Sequence, residues 1–463
     1  MTTVIKNATI VTGDNGRTIL YDSAIAIDAD RIVGVGPTLE VVAAHPNAEQ
    51  IEASGKAVFP GLVNCHTHLL ASNDRGILED WGFPTTLKFP ASARSLLSQE
   101  ERQLMATLGV LEAIRSGTTT LLEVQAEVAD YADHLEKTGM RFVLADTVND
   151  IDESAGPAGS SSAQGARGER GLQRCADLIE SWHGKGNGRI SCFVAPHAPE
   201  TVSPELLRRS REMAESYDVG YTIHLSQSPN EIESVMRARG VPPTHYLFAN
   251  DFLGPRLVLA HCRYVNPSEI ALLGQAGCGV SNNAAIAARR GAAAPVKELL
   301  AAGCGMGMGT DNMAEDMVEV MRAGLFLERV RRNDQMDPQP EDVLEWASRG
   351  GAEILGLGQE TGSLEVGKKA DLFMINMMRP HLVPTLRIVS GFVHNGQPSD
   401  VQSVMVDGRW LMQDGKVLTI DEDDIVKRAE QTGHEVWQRL LKKYPNVPFP
   451  IALPPERNRP PIT

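Results

Sequence analysis

The alternation of apolar and polar positions divides the chain into three zones. Residues 1–58 read as short strands broken by turns, in "TVIKNATIVTG", "DSAIAIDADRIVGVG" and "QIEASGKAVFPG". Alternation bounded by Gly, Asn and Asp marks half-buried strands. Over residues 59–365 the pattern becomes apolar strand, polar loop, amphipathic helix, repeated. Its strands fall at "GLVNCHTHL", "GTTTLLEV", "RFVLADTV", "RISCFVAPH", "GYTIHLSQ", "RLVLAHC", "GCGVSNN" and "GCGMGMGTDN". Between them "SQEERQLMATLGVLEAIRSG", "SPELLRRSREMAESYD", "SPNEIESVMRARG" and "APVKELLAAG" carry helical spacing. Eight strands alternating with helices, several of them near-continuous apolar runs, predict an α/β fold, a parallel (β/α)8 TIM-type barrel. Over 366–418 β signals return in "KADLFMIN", "RIVSGFVHNG" and "VQSVMVDGRWLMQDGKV". The order predicts one small β-sandwich domain built from both chain ends, with the barrel inserted between them. Residues 419–463 read as an amphipathic helix ending near Tyr444 and a proline-rich arm. That tail can pack back on its own barrel or wrap a neighbour in a homo-oligomer.

Within this frame the reactive side chains gather at strand ends. His66 and His68 are one residue apart on the first barrel strand, so both leave the same face. His197 ends the fourth strand, His224 the fifth, His261 the sixth and Asp311 the eighth. Barrels of this kind carry their active sites at the C-terminal ends of the strands. Singly, each histidine reads equally well as a satisfied hydrogen-bonding residue, and Asp311 as a helix cap. Together, imidazoles and a carboxylate make a donor set suited to one divalent metal ion, zinc first, with iron, cobalt or manganese as alternatives.

Charge and composition narrow the partners. The formal charge of −15 repels phosphate backbones and anionic membranes, which disfavours nucleic acid and leaves a small-molecule substrate as the expected partner. The first residues alternate like a strand, and no apolar run approaches the roughly 18 residues of a membrane span. A soluble cytoplasmic protein is expected. The six cysteines are scattered without a CxxC pair, which suits small core residues in a reducing compartment. No GxGxxG or GxxxxGK[ST] stands in a strand-to-helix setting, so dinucleotide and P-loop chemistry have no sequence support.

An ordered set of segments, "PGLVNCHTH", "RGILED", "GTTTLLE", "APHAPETVSPELL", "HLSQSPNEI", "LAHCRYVNPSEI", "GTDN" and "GSLEVGKKADL", resembles the metal-dependent amidohydrolase superfamily from about residue 4 to 418. Within it the chain is most similar to the branch of S-adenosylhomocysteine, guanine and cytosine-type deaminases and triazine hydrolases, and the resemblance extends to phenylurea and thiocarbamate hydrolases. It implies that His66, His68, His224 and Asp311 hold one metal ion. It further implies that Asp311 takes a proton from the attacking water, that His261 orients that water or polarises the scissile group, and that His197 faces substrate. The two-metal members bridge their ions with a modified lysine on the fourth strand; "RISCFVAPH" has none, which implies a mononuclear site.

Two departures bear on the substrate. Deaminases of this branch carry Glu three residues after the fifth-strand histidine, where this chain has Gln227. Glutamine hydrogen-bonds but cannot exchange a proton at neutral pH. Either Gln227 only positions substrate and another group, such as Glu231, supplies the acid, or no such acid is needed. After the seventh strand, "SNNAAIAARRGAAAP" differs from the branch and puts Arg289 and Arg290 at the mouth or on a solvated surface. These departures favour an enzyme that attacks an sp2 carbon with metal-activated water and cleaves an acyl C–N, urea, carbamate or thiocarbamate bond. Deamination of a purine, pyrimidine or triazine-like ring is the alternative, and a non-catalytic binding protein on the same fold a remote one.

Overall fold

A computed structural model of the chain describes residues 2–80, 91–151, 161–449 and 451. The chain begins with β1 (Thr3–Val11), β2 (Ile19–Asp28), β3 (Arg31–Pro37), β4 (Glu49–Glu52) and β5 (Lys56–Pro60). Eight strands follow: β6 (Leu62–Thr67), β7 (Thr118–Gln125), β8 (Arg141–Val148), β9 (Ile190–Pro196), β10 (Tyr221–Leu225), β11 (Leu257–His261), β12 (Gly279–Asn282) and β13 (Gly305–Met308). They pair in parallel and close into a barrel, and each overlaps the apolar segment that predicts it. After the barrel come β14 (Leu372–Asn376), β15 (Val401–Val406), β16 (Arg409–Gln413) and β17 (Lys416–Val417). These join the first strands in one mixed sheet ordered β17-β16-β15-β14-β5-β1-β2-β3, with β4 on β1.

The predicted strand "RIVSGFVHNG" is instead a helix, Ile388–Asn395. Its buried residues Ile388, Val389, Phe392 and Val393 follow the i, i+1, i+4, i+5 spacing of a helix face, and this outweighs the β propensity of the single residues. The N-terminal zone also contains a short helix, Thr38–Ala44. Ser98 and Glu101 form a capping box that starts the helix Gln99–Arg115. The C-terminal helix Glu422–Lys443 packs back on the chain itself: Trp437 Nε1 donates to the Asn73 carbonyl at 2.9 Å, and Val436 and Leu440 are buried. The proline-rich arm from residue 452 on lies outside the described residues. All six cysteines are buried and free. Among the described residues no helix is long and apolar enough to cross a membrane.

Only Gly61 separates β5 of the sheet from β6 of the barrel. A side chain there would meet Thr119 Oγ1 at 2.0 Å, so the crossing requires glycine. Behind it Phe59, Phe373 and Phe392 pack with ring centroids 5.2–5.8 Å apart. Arg141, at the start of β8, ties barrel to sheet: its Nε donates to Asp371 at 2.8 Å and its Nη2 to Asp407 at 2.5 Å, with Arg141 and Asp371 almost wholly buried. Removing one partner of a buried ion pair leaves the other charges uncompensated. Arg141→Ala is therefore expected to lower the unfolding free energy by about 3–5 kcal/mol, measured by denaturant titration. A loss below about 1 kcal/mol, as for a surface pair, would refute this role.

Candidate active site

The C-terminal ends of the barrel strands bring the predicted residues to one point. His66, His261 and Asp311 are each 1% exposed and His224 5%. One donor atom from each of His66, His68 and His224 lies within 4.8 Å of the others, and the same holds for His66, His261 and Asp311. His68 Nε2 and His224 Nε2 are 3.3 Å apart, and Asp311 Oδ1 lies 3.7 Å from His66 Nε2 and 3.5 Å from His68 Nε2. A cation joining them would account for this convergence of neutral lone pairs. Ligands about 2.0–2.1 Å from a tetrahedral zinc stand about 3.4 Å from one another, which matches these separations. Both ring nitrogens of His66 are buried without a hydrogen-bond partner. The donor set fits a divalent ion.

Backbone and side-chain contacts assign the tautomers. His68 Nδ1 faces the Val124 carbonyl and His224 Nδ1 the His197 carbonyl at 2.7 Å, so each Nδ1 carries the proton and each Nε2 offers a lone pair to the site. His261 is the opposite. Ser281 Oγ donates to Asn283 Oδ1 at 2.8 Å, which orients the Asn283 amide so that Nδ2 donates to His261 Nδ1 at 3.2 Å. The His261 proton is thereby on Nε2, 3.9 Å from Asp311 Oδ2. His197 donates from Nδ1 to Thr201 Oγ1, whose hydroxyl is given to the Ala198 carbonyl, leaving its Nε2 as an acceptor.

Burial and the neighbouring imidazoles hold His66, His68 and His261 well below the usual histidine range, guanidiniums adding to this at His68 and His261, and burial takes His197 down to about 3. All are neutral at physiological pH. Burial pushes the Asp311 carboxyl up, against the opposing pull of Arg290, His224, Arg263 and Arg94. Asp311 has a left-handed φ of +66°, as do His261 at +82° and Cys262 at +49°. Non-glycine residues adopt this conformation at a cost where the fold over-determines it. Here it turns the strand ends inward.

His68, His224 and Asp311 of the cluster line a cleft of about 390 Å³ whose walls include Arg94, Arg102, His197 and Gln227. Gln227 thus faces the cleft. Glu231 does not replace it as an acid: its two oxygens accept the backbone N–H groups of Ser226 and Gln227, each at 2.7 Å. Among the described residues that line the cleft, Asp311 is the sole carboxylate. Of the two arginines after β12, Arg289 is exposed and paired with Glu319 at 2.9 Å, whereas Arg290 is partly buried and attracted to Asp311.

Residues 57–411 match the model of the amidohydrolase family. A 5-methylthioadenosine/S-adenosylhomocysteine deaminase of Desulforudis audaxviator is 33% identical over 91% of this chain and 96% of its own. A zinc-bound adenosine deaminase of Xanthomonas campestris superposes with a TM-score of 0.85 at 24% identity, over 94% of this chain and 98% of the other. The zinc complex of an atrazine chlorohydrolase from Arthrobacter aurescens gives 0.84 at 23% identity, over 93% and 100%. At these identities the two structures show a shared fold.

Sequence reasoning does not single out Glu315, although it joins the strands that carry the cluster. Its carboxylate accepts from Thr67 Oγ1 at 2.7 Å, Thr310 Oγ1 at 2.8 Å and Asn64 Nδ2 at 3.2 Å. Thr67 lies between His66 and His68, and Thr310 precedes Asp311. Glu123 has a similar part, accepting from Tyr131 Oη at 2.6 Å and from the Leu69 N–H at 2.9 Å. Neither carries a motif signal, because an acid after a strand reads as a helix cap. Partners behind the ligands of a metal site affect its affinity by about 10–100-fold. Glu315→Ala is expected to weaken retention of added zinc by about that factor, measured by competition with a chelator dye. Unchanged affinity in a folded variant would refute it.

Proposed function

Because the chain belongs to the amidohydrolase family, hydrolases of carbon–nitrogen bonds other than peptide bonds, we propose that it is a metal-dependent aminohydrolase that removes the exocyclic amino group of an adenosine-type nucleoside. The observation that carries the reading is two overlapping donor sets, His66 with His68 and His224 and His66 with His261 and Asp311, with Asp311 Oδ1 also 3.5 Å from His68 Nε2. His66, His68, His224 and Asp311 would hold a single divalent ion, zinc being the first choice for nitrogen and oxygen donors, and β9 offers no lysine to bridge a second. A divalent ion at this point supplies water acidified to near-neutral pH.

The chain's own residues do the rest. Asp311, its basicity raised by burial, accepts the proton of the attacking water. His261 presents Nε2–H where negative charge develops on the carbon's substituents, and it stays neutral because burial and the nearby arginines oppose its protonation. A C–O bond forms, the C–N bond breaks, and the departing amine needs a proton. With Gln227 unable to give one, Asp311 is the group among the described cleft residues that can return what it took. His197 Nε2 accepts a hydrogen bond from substrate.

Gln227 favours a second reading: an acyl, urea, carbamate or thiocarbamate substrate needs no protonation of a ring nitrogen before its amine leaves. The two separate on product analysis. Ammonia released from 5-methylthioadenosine or S-adenosylhomocysteine is the expected result. Cleavage of phenylureas or thiocarbamates with no ammonia from either nucleoside would overturn the first reading and establish the second. In an aminohydrolase, Gln227→Glu restores a proton donor worth about 10²–10⁴ in rate and raises ammonia release.

One metal equivalent per chain is expected by elemental analysis; two equivalents, both required for activity, would exclude the mononuclear site. His261→Asn should retain that metal while turnover falls about 10²–10³-fold. Loss of the ion instead would make His261 a ligand.

A further inference from the structure

Arg263 lies two residues beyond His261, after the left-handed turn at His261 and Cys262. In a continuing strand, residues 261 and 263 would share a face; the turn separates them. The chain is then fixed by Tyr264 N–H donating to the Ser226 carbonyl at 3.1 Å, so Arg263 stands beside the loop that carries Gln227. Its side chain lines a lobe of about 450 Å³ together with Glu79, Asp80, Gln227, Tyr264 and Arg290. Gln227 also lines the metal cleft, so lobe and cleft adjoin at that residue.

Arg263 is 6% exposed, and its Nε is buried with no hydrogen-bond partner. Among the described residues no carboxylate pairs with it. Asp311 and Glu231 attract it without forming an ion pair, and Glu79 of the same lobe accepts the Gly76 N–H at 3.0 Å through one of its two oxygens. A guanidinium cannot shed its proton to escape burial. A buried charge needs a counter-charge with matching hydrogen-bond geometry, and among the described residues no acid stands within ion-pair distance of this one, which lines a cavity instead.

We propose that Arg263 receives a carboxylate carried by the substrate, making the lobe beside Gln227 a subsite for an acidic substituent. A carboxylate presents two acceptors in the plane of the guanidinium fork. The proposal rests on the cleft being the substrate site, and it deepens the aminohydrolase reading by favouring a nucleoside with an acidic tail over one without.

Two measurements on the full chain test it. In the first, kcat/KM for S-adenosylhomocysteine is divided by kcat/KM for 5-methylthioadenosine, in wild type and in Arg263→Met. Loss of a charged hydrogen-bonded pair should lower that ratio by about 10–100-fold, chiefly through KM for the carboxylate substrate, with Arg263→Lys recovering part of it. Equal falls for both substrates would make Arg263 merely structural and overturn the proposal, as would an unchanged ratio. In the second, ligand-observed NMR compares butyrate with butyramide. Butyrate contacts that are present in wild type and lost in Arg263→Met support the subsite. Equal butyrate binding to both proteins, or none to wild type, overturns it. If neither nucleoside is turned over, the aminohydrolase reading fails and the NMR result alone decides the role of Arg263.

Discussion

The closing seam of the barrel is the constraint on which the site depends. Strands β13 and β6 are paired in register through Met308 and Asn64, with one further bridge between Thr67 and Asp311, where β7 and β8 are paired over six positions. Strand pairing contributes little at the seam, yet His66, His68 and Asp311 all stand on it. Polar side chains and irregular backbone contacts do the joining. Asn64 Nδ2 donates to Thr310 Oγ1 at 2.7 Å, the Asp311 N–H reaches the His66 carbonyl at 2.9 Å, and the His68 N–H reaches the Asp311 carbonyl at 3.1 Å. Glu315 underlies them, its carboxylate shared among Asn64, Thr67 and Thr310. In a buried, low-dielectric setting a fully satisfied network of this kind fixes a unique geometry. The same bonds that complete the barrel thus position the ligands.

The site is charged as a consequence of that burial. Neutral imidazoles surround one carboxylate, and Arg94, Arg263 and Arg290 contribute positive potential around Asp311. Arg94 is itself balanced by Asp74 at 2.7 Å, which leaves its field local. A negatively charged protein of net −15 therefore carries a positively biased active-site mouth. Electron-rich or anionic small molecules meet favourable potential at such a mouth.

The barrel was legible in the sequence because its strands, buried on both faces, are near-continuous apolar runs that few other elements imitate. The six histidine and aspartate positions were legible because they end those runs. The helix Ile388–Asn395 was misread because single residues such as Val389, Phe392 and Val393 favour strands, while its spacing favours a helix. Glu315, Asn64, Asn283 and Arg263 were not legible. Glu315, Asn64 and Asn283 each owe their part to a residue distant in sequence, to Thr67, Thr310 and His261 respectively. Local pattern reports periodicity and caps, not pairings between loops some 20 to 250 positions apart.

Gln227 shows how one position can redistribute chemistry across a site. Where a glutamate stands at such a position, two carboxylates can divide the proton traffic, one taking it from water and one delivering it to the leaving side. With glutamine there, and with Glu231 committed to the Ser226 and Gln227 amides, the described cleft retains Asp311 alone. A single carboxylate must then be basic enough to accept a proton and acidic enough to return it, which places its useful pKa nearer neutrality than an ordinary aspartate. Burial pushes the Asp311 carboxyl up, whereas a cation bound at the cluster would pull it down. In the aminohydrolase proposed above, the glutamine at 227 and the environment of 311 would be two halves of one arrangement, the leaving amine drawing its proton from the carboxylate that deprotonated the nucleophile.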